Sequence, residues 1–154
     1  MKKILALALG FLCLISTTGF AEVMKAYDES ANAQTELNKA LSQAQVSKKK
    51  VLVIFGANWC KDCLELDKSM KGVNQSLIEK KFIVVKVDVA QFDKNLDIAN
   101  AYGNPIKKGI PAAVVLQPDN TLLYATKAGE LADARRMGDH GIADFFQKII
   151  KDHP

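Results

Sequence analysis

Cys60 and Cys63, set in Trp59-Cys60-Lys61-Asp62-Cys63, are the residues whose type and spacing carry chemistry. They follow the apolar run Val51-Leu52-Val53-Ile54-Phe55, so the pair falls where a strand gives way to a helix. A thiolate at a helix start is stabilised by unpaired backbone N–H groups and by the positive end of the helix dipole. That lowers the thiol pKa and makes Cys60 a nucleophile near neutral pH. Cys63 lies one turn further on the same face, where it can attack a mixed disulfide on Cys60 and release the partner. Two sulfurs at this spacing point to electron exchange more than to a structural staple. Such exchange is complete in the two side chains, and no cofactor is expected.

The remaining cysteine, Cys13, lies in a stretch with the order of a secretory leader: basic Met1-Lys2-Lys3, an apolar middle from Ile4 to Ile15, then Thr17-Thr18-Gly19-Phe20-Ala21 before Glu22. Cleavage after Ala21 is expected, giving a signal peptide over 1–21 and a single domain over 22–154. An uncleaved anchor is disfavoured, because the apolar middle falls short of the roughly 20 residues that span a bilayer. A lipid anchor on Cys13 is disfavoured by Leu12, since such signals place a small residue there. The mature protein is therefore expected in a bacterial periplasm or secreted. Outside the reducing cytosol an exposed dithiol is oxidised unless electrons reach it. Two kinds of partner are implied: exported proteins carrying disulfides, and a membrane or soluble thiol donor.

The formal net charge is +4, and loss of Lys2 and Lys3 with the leader lowers it further. That balance points to neither nucleic acid nor an anionic membrane. The cluster Lys48-Lys49-Lys50 precedes the first apolar strand and reads as a solvated turn. The chain is long enough for one well-buried core, and it shows no internal repeat.

The elements that must hold the cysteines follow from periodicity. Residues from Glu22 to Asp28 read as a short strand or an extended arm. A helix from Ser30 presents Ala33, Leu37, Ala40, Leu41 and Ala44 on one face. Val51–Phe55 is apolar throughout, as a strand covered on both faces requires. A second helix runs from the cysteines to Lys71 and stops at Gly72. Phe82–Asp88 is the next strand, followed by a short helix through Leu96, Ile98 and Ala99 to Tyr102, itself a core residue. Pro111–Leu116 and Thr121–Ala125 flank Gln117-Pro118-Asp119-Asn120 as a β-hairpin. Ile142, Phe145, Phe146, Ile149 and Ile150 stripe a closing helix. This order predicts an α/β fold, a mixed central sheet with helices on both faces.

Over nearly all of 22–154 the chain resembles the thioredoxin superfamily. Three separated signals carry the likeness: Trp59-Cys60-x-x-Cys63 after a buried strand, Gly109-Ile110-Pro111 before the next-to-last strand, and Gly129 just after the last. The resemblance implies a cis Ile110-Pro111 bond against the cysteines, with the Ile110 backbone pairing with substrate and Trp59, Pro111 and Gly129 lining the same surface. A cis bond is tolerable mainly before proline; the alternative is a trans proline at a strand start. Trp59 reads as an apolar shield over the site.

The departures are informative. Thioredoxins usually carry a buried aspartate six residues before the first cysteine, where this chain has Ile54, so Lys86 resembles that aspartate's lysine neighbour left without its partner. Asp67, one helical turn beyond Cys63, is the expected substitute proton acceptor. The alternative for Asp67 is a solvated carboxylate paired with Lys71. The run Cys63-Leu64-Glu65-Leu66-Asp67-Lys68 also resembles the C-terminal thioredoxin-like domain of the electron transporter DsbD, which has an acidic residue at the matching place. Lys61 favours the Cys60 thiolate and Asp62 opposes it, so their charges partly cancel. The segments Gly103–Lys108 and Glu130–His140 are longer than in a minimal thioredoxin and would flank the cysteines, making Arg135, Arg136 and Met137 candidates for a partner-selecting rim.

The leading function is an exported thiol-disulfide oxidoreductase that reduces disulfides of other exported proteins. A disulfide oxidase or isomerase uses the same pair. A copper or zinc carrier is a different class, but structural zinc wants four ligands and only His140 and His153 could join the two thiols. No metal site is therefore expected. A binding module without turnover would have no physical reason to carry the intact pair.

Overall fold

The computed structural model describes residues 25–154. The leader over 1–21, Cys13 and the first residues of the expected arm lie outside the described residues. Lys25–Asn32 forms no strand and runs as an irregular arm of bends and turns. Helix α1, Ala33–Ser47, begins where the Asn32 side chain accepts from the Thr35 N–H at 2.9 Å, satisfying one of the free donors of its first turn. It buries Ala33, Leu37, Ala40 and Ala44, a stripe at helical spacing that packs on the sheet.

Strand β1, Lys50–Gly56, is buried from Val51 onward, so both faces of the sheet are covered there. It pairs in parallel with β2, Phe82–Asp88, and antiparallel with β3, Ala112–Leu116. β3 pairs antiparallel with β4, Leu122–Ala125, completing a four-stranded mixed sheet in the order β2-β1-β3-β4. The turn between β3 and β4 places Asn120 at φ 70°, a conformation asparagine tolerates well. Helix α2, Lys61–Lys71, leaves the end of β1 and packs against the closing helix α5, Ala134–Asp152. Phe82 and Phe146 meet at 6.5 Å and Tyr124 and Phe145 at 6.0 Å, tying α5 to both edges of the sheet.

Three local features differ from the sequence reading. A short helix α3, Gln75–Lys81, precedes β2, with Ile78 its one fully enclosed residue. Helix α4, Leu96–Ala101, is followed by a 3-10 turn over Pro105–Lys108. The segment read as a long loop to His140 is already helical from Ala134, with a break at Gly138 (φ 61°, ψ −178°). Among the described residues no helix is long and apolar enough to cross a membrane.

Candidate active site

Cys60 is the N-cap of α2, in extended conformation, and its sulfur accepts from the Cys63 N–H at 3.2 Å. The helix therefore aims a free backbone donor at the sulfur expected to carry negative charge. The two cysteines are joined as a disulfide, with Cα atoms 5.2 Å apart. Cys63 has no exposed surface and Cys60 is 6% exposed, so one face of the bond is presented sparingly and the other is sealed. That asymmetry separates an attackable sulfur from an internal one, although Cys60 is more enclosed than an open surface thiol.

The Ile110-Pro111 bond is cis, as the resemblance implies. It brings the Ile110 carbonyl oxygen to 3.6 Å from the Cys60 sulfur, a van der Waals contact in the disulfide form. Gly109 (φ 117°) and Gly129 (φ 79°) shape this loop: a Cβ on Gly129 would lie 2.8 Å from the Lys108 carbonyl oxygen. Gly129 thus lets the last loop close on the turn that carries Ile110 and Pro111.

Trp59 is half exposed, fixed by its indole N–H donating to the Ala90 carbonyl at 2.8 Å and tilted against Phe92 at 6.2 Å. Beside it runs a groove of about 420 Å³ lined by Phe92, Leu96, Ile106 and Gly109. Tyr102 is buried and donates to the Asn120 side chain at 2.7 Å.

The charges around the cysteines are arranged differently from the linear reading. Asp62 is taken up by Arg135, whose backbone N–H donates to it at 3.0 Å and whose guanidinium reaches both carboxylate oxygens at 3.2 Å. Burial alone would raise the Asp62 pKa, but the Arg135 hydrogen bonds and charge outweigh it and hold the carboxyl below its ordinary value. Lys61 is exposed to solvent. Asp62 therefore opposes the Cys60 thiolate less than expected, because a third residue from α5 absorbs its charge. Of the expected rim residues, Arg135 is docked on the cysteine helix, whereas Arg136 pairs with Asp133 at 2.9 Å on the exposed side.

Lys86 is not left without a partner, as the absence of an acid at Ile54 implied. Its Nζ lies 2.9 Å from Asp67, which is 4% exposed and meets Lys71 at 2.9 Å through its other oxygen. The Lys71 pairing foreseen as the alternative is thus real, but the carboxylate is buried rather than solvated. An acid one turn past Cys63 reaches the lysine on β2 that in the family faces an acid on β1. The ammonium nitrogen of Lys86 is wholly enclosed. Burial lowers its pKa, and the charge of Asp67 only partly restores it.

Two residues escaped the sequence reading. Tyr27 in the arm is 2% exposed, with Lys86 Nζ 5.3 Å from its ring centre. Its hydroxyl lies over Gly56, where an added Cβ would overlap it and stand 2.9 Å from the Cys63 sulfur. Burial, with the charges of Asp67 and Asp88 adding to it, pushes the phenol pKa far upward. Asn58 fixes the arm: its Oδ1 accepts from the N–H groups of Ala26 at 2.9 Å and Tyr27 at 3.0 Å, and its Nδ2 donates to the Tyr27 carbonyl at 2.9 Å. The one available signal was an asparagine two positions before Cys60 with an aromatic in an otherwise patternless arm. Among the described residues no group of three or more His, Cys, Asp or Glu is placed to hold a metal.

Comparison with known proteins agrees with this geometry. A family model described as Thioredoxin-like matches residues 32–118. The thioredoxin of Buchnera aphidicola subsp. Baizongia pistaciae is 37% identical over 105 residues, covering 68% of this chain and 83% of its own length. The crystal structure of a disulphide isomerase from Xylella fastidiosa Temecula1 superposes with a TM-score of 0.79 at 54% identity, covering 80% of this chain and 95% of that one. The oxidised DsbD C-terminal domain of Neisseria meningitidis matches at 20% identity over 74% of this chain and 94% of its own, with a TM-score of 0.42, too distant to bear on the role of Asp67. An enclosed cysteine pair at a helix N-cap beside a cis proline, on this sheet, belongs to a thiol-disulfide oxidoreductase, and the chain is a member of the thioredoxin-like family.

Proposed function

We propose that the protein is an exported oxidoreductase, released from a leader over 1–21, that reduces disulfides of other exported proteins. The observation that carries this reading is the Cys60–Cys63 bond at the start of α2, with Cys60 the more exposed sulfur and the Ile110 carbonyl beside it. In the reduced protein the Cys60 thiolate attacks one sulfur of a client disulfide; a new S–S bond forms and the client's other sulfur leaves as a thiolate. Cys63, deprotonated, then attacks Cys60, the client's remaining sulfur departs as a thiolate, and the protein's disulfide is restored. Two electrons pass to the client. A thiol donor at the membrane or in solution must return them. The backbone of Ile110 and the groove beside Trp59, lined by Phe92, Leu96 and Ile106, would receive the client as an extended segment.

In this reading Asp67 serves as the proton acceptor for Cys63, acting across the buried network with Lys86. Its support is its position and enclosure, together with the lack of an acid at Ile54.

A second direction is supported by the 54% identity to the Xylella structure described as a disulphide isomerase. Isomerisation uses the same first attack by Cys60, after which another thiolate of the client attacks the mixed disulfide and expels Cys60 as a thiolate, so a different client disulfide forms and no net electrons pass. Two measurements separate the directions. Replacing Cys63→Ser freezes the mixed disulfide on Cys60, so that clients and donor are captured and identified from periplasmic extracts. Equilibration with glutathione gives the reduction potential; a value near that of thioredoxins supports reduction, and one tens of millivolts higher supports isomerisation. Failure of Cys60 to form any mixed disulfide would refute both.

A further inference from the structure

Tyr27 presents an anomaly within the described residues: its hydroxyl is fully buried and makes no hydrogen bond. A buried hydroxyl without a partner is costly, and native proteins rarely keep one without a reason. Its placement is deliberate in structural terms. Asn58 clamps the backbone on either side of it through three hydrogen bonds, and Gly56 leaves open a space that both the hydroxyl and the Cys63 sulfur border. No larger residue than glycine fits there, since a Cβ would overlap the hydroxyl.

We propose that the Tyr27 hydroxyl is the hydrogen-bond donor to the Cys63 sulfur in the reduced protein, so that the N-terminal arm sets how readily the pair gives up electrons. The inference deepens the dithiol reading above and rests on it. In the disulfide, Cys63 is a poor acceptor and the hydroxyl is left over. When a partner thiolate attacks Cys60, the S–S bond breaks and its electron pair goes to Cys63, which leaves as a thiolate. Its negative charge then meets the phenolic O–H. The proton stays on Tyr27, whose surroundings keep it a donor: the buried position and the nearby Asp67 and Asp88 all disfavour a phenolate. Lys86 above the ring holds the aromatic in register. The hydrogen bond exists in the reduced form and not in the oxidised form, so it shifts the equilibrium toward the dithiol.

The test is Tyr27→Phe, which keeps the ring and removes only the hydroxyl. Loss of a hydrogen bond to a charged sulfur is expected to favour the disulfide by about tenfold against glutathione, a fall of about 30 mV. Alkylation of Cys60 should be unchanged, and Tyr102→Phe and Tyr124→Phe should leave the equilibrium where it is. A structural role alone would weaken oxidised and reduced forms alike and leave the equilibrium unmoved. A shift below twofold, or one toward the dithiol, overturns the proposal. If Tyr27→Phe does not fold, the ring-carbon NMR signal bearing the Tyr27 hydroxyl in the unaltered protein decides: a change on reduction supports the bond, and no change overturns it. Wild-type protein that fails to exchange with glutathione would sink the dithiol reading and this inference together; normal exchange with an unmoved Tyr27→Phe sinks this inference alone.

Discussion

Asp67→Asn removes a negative charge from between two lysines and leaves the enclosed ammonium of Lys86 without its counter-ion. Breaking one side of a buried ion pair costs about 3 to 5 kcal/mol. The cost has a ceiling, because Lys86 can lose its proton instead. Starting from an ordinary lysine value near 10.4, neutralising it at pH 7 costs at most about 4.6 kcal/mol. A loss of about 3 to 4.5 kcal/mol is thus expected at pH 7, which lowers the melting temperature of a domain this size by about 10 to 15 °C. The variant's stability should also climb with pH. Unfolded Lys86 binds a proton that the folded variant refuses, so unfolding is progressively less favoured as pH rises from the depressed folded value toward the ordinary one. The gain is about 1.4 kcal/mol per pH unit in that window. Urea unfolding of the oxidised protein at pH 7 and pH 9 measures both effects. Adding Lys86→Met should return much of the loss, since no charge is then stranded. A loss under 1 kcal/mol with no steeper pH dependence than wild type would refute the claim that this pair is desolvated. Independently, an unchanged rate of mixed-disulfide resolution in Asp67→Asn would remove Asp67 from the proton path.

Arg135→Ala frees the Asp62 carboxylate beside Cys60, so alkylation of Cys60 at neutral pH should slow two- to threefold, roughly a few tenths of a pKa unit; an unaltered rate would show that the Asp62 charge is not felt there. Because Arg135 holds the Asp62 pKa down against burial, the pair's stabilisation is present above the ordinary carboxylate value and is lost as pH falls through the lowered one. The gap in urea midpoint between wild type and Arg135→Ala should therefore close below about pH 4, and a constant gap would contradict the pairing. Gly129→Ala forces a side chain into positive φ against the Lys108 carbonyl and should cost about 1 to 3 kcal/mol in denaturant unfolding. Trp59→Ala should raise KM for a protein client several-fold while leaving the potential against glutathione within about 10 mV, roughly twofold in equilibrium; a changed potential with unchanged KM would mean that Trp59 tunes the sulfurs and does not hold the client.

Local signals were legible in the sequence where one short stretch contained the whole physical cause. Val51–Phe55 reads as a covered strand because every residue is apolar, and Cys60–Cys63 reads as a helix start because the strand ends just before it. Ile110-Pro111 was legible only through resemblance, since proline permits a cis bond without requiring one. Helix α3 was missed because seven residues with one enclosed side chain show no period. The first turn of α5 was missed because glycine at 138 and 141 and a run of charges obscure the apolar stripe that begins later. The pairs Asp67–Lys86 and Asp62–Arg135 join elements distant in sequence, so no spacing rule reveals them. Tyr27 is harder still: it sits in an arm with no periodicity and owes its burial to Asn58.

The Asn58 clamp has a practical consequence for anyone attaching a label or tether. A tether joined just ahead of Lys25 starts from a segment that Asn58, two residues before Cys60, holds at Ala26 and Tyr27. The opposite terminus offers the safer handle. The Pro154 carbonyl accepts from Lys50 Nζ at 2.8 Å, at the far end of β1 and about 20 Å from the cysteines by strand rise, so immobilisation there leaves the reactive face toward solution.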